Sequence, residues 1–180
     1  MNRVRLIYDG ISEIVGGNGL AVIVLTDAGR KRALSVVCDE VMKLQLCSRM
    51  SESARHGGMC IEVIWKMISE YTDTSRFEIM IHDVIEGEYK TTVINIDTLK
   101  SYRIRLSDAV LLSLISDIPI YVDDNLMQKQ GTLYAGNSSR MSIPINSITT
   151  DRLEEELDKA IKEENYRLAS VIKEELNNRN

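Results

Sequence analysis

The chain has 180 residues, of which 44% are hydrophobic and 27% are charged, and its formal net charge is −5. This length suffices for one core of ordinary size with a small appendage, and the composition is typical of a folded globular protein. An acidic chain does not hold nucleic acid through its overall charge. Binding of that kind would need a local basic patch or a bound metal.

The sequence offers no sign of export or membrane insertion. The first ten residues contain no apolar run typical of a signal peptide, and no stretch approaches the about 18 apolar residues of a membrane span. The three cysteines, Cys38, Cys47 and Cys60, are too few and too irregularly spaced for a disulfide framework. Free thiols suit a reducing compartment, so we expect a cytoplasmic protein with no membrane segment.

A β-meander is predicted at the start of the chain. Residues 3–8 alternate polar and apolar side chains at their start, and 20–25 and 31–37 form two further strands joined by a polar turn. The glycine cluster at 16–19 indicates a sharp turn. A phosphate-binding loop is disfavoured there, because no Gly-Lys-Ser/Thr sequence ends the cluster and the next segment resembles a strand.

Two helices are expected next, over 39–50 and 59–71, separated by the small polar loop 51–58. In the second helix, apolar residues recur at helical spacing, which predicts a stripe that faces the core. The stripe consists of Ile61, Ile64, Trp65, Ile68 and Tyr71.

The chain then returns to β-structure. Residues 77–82 and 89–96 form a hairpin around a Glu-Gly-Glu turn, and residues 102–106 alternate in the same way. An apolar helix over 109–115 follows. A short strand over 118–122 contains a proline, which places this strand at a sheet edge or marks its start.

The last fifty residues change character. Residues 131–150 have the Gly, Ser, Thr and Asn content of a linker, whereas 151–178 lack Gly and Pro and are dense in Glu and Lys. Two helices with narrow apolar seams, 151–162 and 165–177, predict a hairpin that packs on the main body or on another copy of itself. The expected fold class is α+β, with a mixed, mostly antiparallel sheet, packed helices and a C-terminal α-helical hairpin.

Arg105, Ser107 and Asp108 are the main candidates for chemistry, since they lie within four residues at a strand-to-helix junction. The guanidinium of Arg105 could hold a phosphate, Ser107 could add a donor, and Asp108 could bind a metal or orient a water. The structural alternative is that Ser107 and Asp108 cap the helix while Arg105 pairs with Asp108. The two interpretations are compatible.

Other candidates are more scattered. His56, in a polar loop before a helix, could act as an acid–base group, whereas His82 is expected to be a solvated residue on a strand. Glu62 is a candidate carboxylate, although acids near helix starts are common for electrostatic reasons alone. A metal site from His56 and Cys60 and a cysteine nucleophile both have little support in the sequence.

Residues 105–110 and 118–121, Arg-Leu-Ser-Asp-Ala-Val and Ile-Pro-Ile-Tyr, resemble the hallmark of the bifunctional nuclease (BFN) domain. That family has Arg-Pro-Ser-Asp-Ala, an apolar helix and Pro-Ile-Tyr, and the resemblance covers about 1–130. It implies an α+β domain with a tendency to form oligomers and nuclease activity on RNA and DNA. Leu106 replaces the family's proline, and Met-Cys-Ile-Glu at 59–62 stands where the family has Thr-His-Asp.

The C-terminal segment resembles the UVR motif, named after the excision-repair proteins UvrB and UvrC, and a BFN domain followed by this motif is a pairing known in bacteria. The matching residues are Leu157, Ala160, Glu164, Asn165, Tyr166, Ala169, Ser170, Ile172, Lys173 and Glu174. The expected organisation is therefore a BFN-like domain at 1–130, a linker at 131–150 and a UVR-like hairpin at 151–180.

Together these features predict a nuclease that hydrolyses phosphodiester bonds of RNA or DNA and forms homo-oligomers. Its candidate catalytic residues are Asp108, Arg105, Ser107, His56 and Glu62. Asp108 and Glu62 are the candidate ligands of a Mg²⁺ or Mn²⁺ cofactor. The alternative is a catalytically degenerate BFN-fold protein that self-associates, or docks a protein partner, through residues 151–178.

Overall fold

The computed structural model describes residues 2–13, 20–50, 58–134, 136 and 143–179. They form a mixed sheet with packed helices and a C-terminal helical hairpin, which confirms the expected fold class. The strands are β1 (Arg3–Glu13), β2 (Ala21–Asp27), β3 (Arg32–Cys38), β4 (Phe77–Ile85), β5 (Glu88–Asn95), β6 (Ser101–Ile104), β7 (Ile120–Asp123) and β8 (Thr132–Leu133). The helices are α1 (Glu40–Met50), α2 (Cys60–Ser69), α3 (Leu106–Ser116), α4 (Asp124–Gln130), α5 (Thr150–Lys162) and α6 (Tyr166–Arg179).

The sheet consists of two antiparallel meanders joined by β7. Its strand order is β6-β5-β4-β7-β1-β2-β3-β8, so the predicted N-terminal meander and the β4–β5 hairpin are both confirmed. β7 pairs antiparallel with β1 and parallel with β4. This interior position excludes a sheet edge for Pro119, which instead precedes the strand. Its carbonyl accepts a hydrogen bond from the Ile79 amide at 2.9 Å, and its missing N–H leaves no gap in the ladder.

The main core lies between the sheet and the helices α1 and α3. Ala109 and Val110 of α3 are fully buried, as are Leu46 of α1 and Ile81 of β4. A small second cluster around Val22 covers the opposite face of the sheet, as expected from the alternation of side chains along a strand. Because the apolar side of α3 is held by this core, the start of that helix has a fixed position at the end of β6.

The predicted core-facing stripe of α2 is wrong for most of its residues. Ile61 and Trp65 pack against the core, and the rings of Trp65 and Phe77 form a T-shaped contact with centroids 6.4 Å apart. Ile64, Ile68 and Tyr71, in contrast, are 50%, 40% and 86% exposed, and no residue of α2 is buried. Helical spacing identifies side chains that share a face, but it does not show what covers that face.

Residues 124–134 contain two elements that the sequence analysis did not predict. The short helix α4 begins after Asp123, whose carboxylate accepts hydrogen bonds from the amides of Asn125 at 2.9 Å and Leu126 at 3.3 Å. The helix ends where the guanidinium of Arg32 donates to the carbonyl oxygen of Gly131 at 2.6 Å. The first residues of the predicted linker thus belong to the sheet, through β8.

The two C-terminal helices confirm the predicted hairpin. Its seam is formed by apolar side chains that are buried between α5 and α6, and Arg179 ties the end of α6 to Thr150 Oγ1 at 3.2 Å. The same guanidinium donates to the carbonyl of Ile145 at 3.4 Å, so the hairpin packs on the chain segment that precedes it. The buried residues of the seam are Leu153, Ala160, Ala169 and Ile172. None of the described helices is long and apolar enough to cross a membrane.

Candidate functional site

A cleft of about 620 Å³ opens where four parts of the chain meet. Its walls are the end of β3 at 36–39, the β4–β5 turn with the first residues of β5 at 87–89, the junction from β6 to α3 at 103–107, and the start of the hairpin at 147–149 with Arg152. This volume lies within the range of about 300–1,000 Å³ that is usual for ligand sites. The cleft therefore includes the junction that the sequence analysis singled out.

Arg105 and Ser107 line the cleft, and Asp108 is held next to it by an ion pair. Arg105 Nε donates to Asp108 Oδ2 at 2.8 Å, and a second guanidinium nitrogen lies 3.4 Å from Oδ1. The hydrogen bond and the charge of Asp108, with a smaller contribution from Asp39, raise the pKa of Arg105 above its usual value. The side chain of Arg105 is 76% exposed and that of Asp108 is 32% exposed, so solvent reaches both partners.

The start of α3 differs from the prediction that Ser107 and Asp108 cap it. Arg105 is the N-cap residue, and no side chain makes a capping hydrogen bond. The carboxylate of Asp108 instead accepts from the guanidinium of Arg105, where both partners of the hydrogen bond are charged. The first bond within the helix runs from the Ala109 amide to the Arg105 carbonyl at 2.9 Å. The three preceding amides, of residues 106–108, therefore have no acceptor within the helix.

The open amides at the start of α3 make this corner of the cleft suitable for an anion. Helix N-termini carry a partial positive charge and commonly bind phosphate groups through backbone N–H donors. Arg105 adds a full positive charge at the same place. The arrangement can hold a phosphate oxygen if the guanidinium exchanges Asp108 for the anion.

Further charged residues line the cleft, and two of them, Arg103 and Glu88, form an opposite-sign pair. Arg103 lies 3.4 Å from Glu88, whose pKa is lowered mainly by a hydrogen bond from Lys90. Asp39 caps α1 by accepting from the Met42 amide at 2.8 Å. Exposed pairs of this kind contribute about 0–1 kcal/mol each, so an incoming phosphate can replace the carboxylate partner of an arginine at little cost.

Glu62 has a different position from the one that the predicted site requires. It forms an ion pair with Arg49, with side chains 9% and 11% exposed, and it accepts a hydrogen bond from the Met59 amide at 3.1 Å. Glu62 is not one of the described residues that line the cleft. Its contacts hold the start of α2 on α1 and do not bring it together with Asp108 and Arg105.

Of the described histidine and cysteine residues, Cys38 lines the cleft and the others do not. His56 lies outside the described residues, so the predictions that rest on it stay predictions. His82 Nε2 is 2.7 Å from Thr92 Oγ1 on the exposed part of β4, in agreement with a surface role. Burial, with a further contribution from Asp39, raises the pKa of Cys38 to about 12. A thiol with such a pKa is a poor nucleophile at neutral pH.

The donor set does not form a ready divalent-cation site in the described part of the chain. No three His, Cys, Asp or Glu residues there are grouped so that they could hold a metal ion. The carboxylate of Asp108 is occupied by Arg105, and that of Glu62 by Arg49. A cation would have to displace an arginine from Asp108, and Glu62 offers no second ligand beside it.

Several cleft residues were missed by the sequence analysis. Arg103 lies two residues before Arg105, so the alternation along β6 could have placed both on one face of the strand. Tyr89 and Ser147 are buried beneath the cleft, and Arg152 reaches it from the hairpin. Nothing local in the sequence signals Ser147 and Arg152, because their positions depend on where the C-terminal segment packs.

Comparison with known families supports the assignment that the fold and the cleft suggest. The family model described as bifunctional nuclease domain matches residues 23–134, which span β2 to β8 and include the junction before α3. No curated protein matches the chain. The family model ends before the hairpin, so the UVR resemblance stays a prediction. The match covers more than half of the chain, and the protein belongs to the bifunctional nuclease domain family.

Proposed function

We propose that the protein hydrolyses phosphodiester bonds of RNA or DNA in the cleft at the start of α3. The observation that carries this proposal is the corner of the cleft formed by the largely exposed Arg105 and by the amides of 106–108, which have no acceptor within the helix. The family match supports nuclease chemistry as the activity of such a site. Because the net charge is −5, binding depends on this local patch and not on the overall charge of the protein.

In the proposed reaction, the substrate phosphate takes the place of Asp108 on the guanidinium of Arg105. The charge that develops on the phosphoryl oxygens is stabilised by Arg105 and by the N–H groups of residues 106–108. The released carboxylate of Asp108 accepts a proton from the attacking water. A new P–O bond forms to this water, the bond to the leaving ester oxygen breaks, and that oxygen takes up a proton from solvent or from an acid group such as His56.

The requirement for Mg²⁺ or Mn²⁺ stays a prediction. Magnesium commonly binds through one or two carboxylates, waters and the substrate phosphates, and Asp108 is the carboxylate nearest to this corner. When bound, the ion would neutralise phosphate charge and lower the pKa of a water. The proposed proton transfer and charge stabilisation need only the side chains and amides of the chain itself.

The proposal is tested by cleavage of labelled single-stranded RNA and DNA with wild type and Asp108→Asn, each with Mg²⁺, with Mn²⁺ and with EDTA. We expect Asp108→Asn to reduce cleavage by about 10²–10⁴-fold, the usual contribution of a general base. Asp117→Asn is the matched control. Asp117 ends the same helix in the left-handed conformation with φ 58°, which asparagine adopts readily.

Full cleavage by Asp108→Asn, or absence of cleavage by wild type under all ionic conditions, would refute the proposal. Equal losses in Asp108→Asn and Asp117→Asn would show that damage to α3, and not loss of a base, is the cause. Retention of activity in EDTA would contradict only the metal requirement. Thermal unfolding of each variant shows that the fold is kept.

The alternative is an interaction protein that uses the hairpin to self-associate or to dock a partner. It is favoured by four apolar side chains that the hairpin exposes: Ile161, Tyr166, Leu168 and Val171. Light scattering of wild type and of Val171→Asp tests it, with Arg167→Asp as a control on the same helix. A mass that falls only in Val171→Asp supports self-association. An unchanged monomer mass in all three proteins contradicts self-association.

A further inference from the structure

The hairpin meets the main body at the rim of the cleft. Gly87, in the β4–β5 turn, has φ +80°, and a Cβ atom there would overlap the backbone carbonyl of Ile148. One residue earlier, Ser147 is buried and lines the cleft together with Tyr89, and its hydroxyl donates to the carbonyl oxygen of Pro144 at 2.7 Å. The close approach at Gly87 and the burial of Ser147 place the segment that leads into α5 against the cleft wall, so the hairpin has a defined place beside the cleft.

The first turn of α5 brings a third arginine into the cleft. Thr149, the N-cap residue of α5, lines the cleft together with Arg152, and the junction that carries Arg103 and Arg105 lines the same cleft. Arg152 is paired with Glu155 one turn further along α5, and the side chains are 29% and 63% exposed. Such a pair is easily exchanged, so Arg152 is available to a phosphate in the cleft.

The charge of the cleft and of the chain favours one strand over a duplex. Duplex-binding proteins use strongly positive interfaces, whereas this chain has a net charge of −5, and Arg103, Arg105 and Arg152 lie in one cleft. Positive charge comes from two separate parts of the cleft lining, Arg105 at the start of α3 and Arg152 in α5. A single strand in the cleft can place its phosphates near both arginines.

We propose that the cleft binds single-stranded RNA or DNA and that the hairpin forms one wall of this substrate site. Arg152 is then a positioning residue for a backbone phosphate. This inference rests on the proposed function for the identity of the substrate. It assigns to the hairpin a role in holding nucleic acid that is separate from self-association. Arg152 is too distant in sequence from Arg105 for this role to be read from a motif.

Binding is measured by fluorescence anisotropy with the full chain carrying Asp108→Asn, so that the probe is not cleaved. The probes are labelled single-stranded oligouridine, oligothymidine and a duplex of the same length, over a range of salt concentrations. Arg152→Ala and Arg152→Lys are compared with Arg167→Ala, a control of equal charge change on an exposed residue of α6 outside the cleft.

We expect Arg152→Ala to weaken single-strand binding about tenfold and to reduce the slope of log K against log salt by about 0.7, the loss of one phosphate contact. Arg152→Lys should restore the slope, because it keeps the charge. In the cleavage assay without Asp108→Asn, Arg152→Ala should raise KM and leave kcat nearly unchanged. The duplex should bind more weakly than either single strand.

Unchanged binding and slope in Arg152→Ala, or an equal loss in Arg167→Ala, would overturn the inference, and tighter duplex binding would overturn its single-strand part. The two proposals fail separately. Cleavage that needs Asp108 but is indifferent to Arg152 leaves the function and removes the inference. Strand binding that needs Arg152, with no cleavage by wild type, keeps the inference and removes the function.

Discussion

Gly87→Ala tests whether the close approach of the β4–β5 turn to the chain before α5 holds the hairpin in place. The added methyl group would overlap the carbonyl of Ile148 and the amide nitrogen of Thr149. These are backbone atoms, which cannot turn away as the end of a flexible side chain can. The segment that leads into α5 must therefore move, and the wall of the cleft moves with it.

The size of the effect follows from two contributions. The left-handed backbone conformation costs an alanine about 1–2 kcal/mol, and displacement of packed groups by an inserted methyl adds about 1–3 kcal/mol. Gly136 provides a matched control, because its φ of +76° is similar and a Cβ there meets no atom of the described residues within 4 Å. Gly136→Ala should therefore lose only the first contribution, about 1–2 kcal/mol.

Urea unfolding followed by circular dichroism gives both losses of unfolding free energy, and limited proteolysis reports whether the segment 143–149 has become accessible. We expect faster cleavage in this segment for Gly87→Ala and no change for Gly136→Ala. Equal losses of unfolding free energy in the two variants, with the same proteolytic pattern as wild type, would refute the reasoning. In that case the hairpin would not depend on this contact.

Two further predictions concern buried ionisable groups. Glu62→Gln removes the carboxylate that pairs with Arg49 in a site where both side chains are nearly buried. We expect urea unfolding to show a loss of about 3–5 kcal/mol of unfolding free energy. The double variant Arg49→Met, Glu62→Leu should lose less unfolding free energy, and a larger loss in the double variant would contradict the pairing. Burial raises the pKa of Tyr8, Cys38 and Tyr89 to about 12, from ordinary values of 9.0 for the thiol and 10.0 for the phenols. As the pH rises, the unfolded chain releases these protons before the folded chain does. Stability is therefore full below about pH 9 and falls towards pH 12. The raised pKa of Tyr89 alone accounts for about 2–3 kcal/mol of this loss. A urea midpoint that stays constant from pH 8 to 11.5 would contradict this prediction.

The order of strands and helices could be predicted from the sequence because it depends on local patterns. The alternation in β4 and the absence of Gly and Pro in α1 are visible in any short window of the chain. The position of β7 between β1 and β4 was not visible, since it depends on pairing between residues far apart. α4 was missed for a similar reason, because Arg32 closes its C-terminal end from another part of the sheet.

The candidate site was predicted in part. Arg105, Ser107 and Asp108 are neighbours in the sequence, so a strand-to-helix junction was enough to bring them together. Glu62 was predicted as a site carboxylate from its charge and its position at a helix start. In the structure its carboxylate forms an ion pair with Arg49. Arg152 joins the cleft only because the hairpin packs beside it, and a pairing of that kind leaves no local pattern.

The place of β7 has a consequence for how the molecule forms during synthesis. The halves β1–β3 and β4–β6 touch each other in the sheet only through this strand, which follows both of them in the chain. Until about residue 123 leaves the ribosome, each half presents an unpaired strand edge, a known route to aggregation. A chaperone or rapid emergence of β7 would shield these edges, and ribosome-bound chains truncated before and after β7 should differ in solubility.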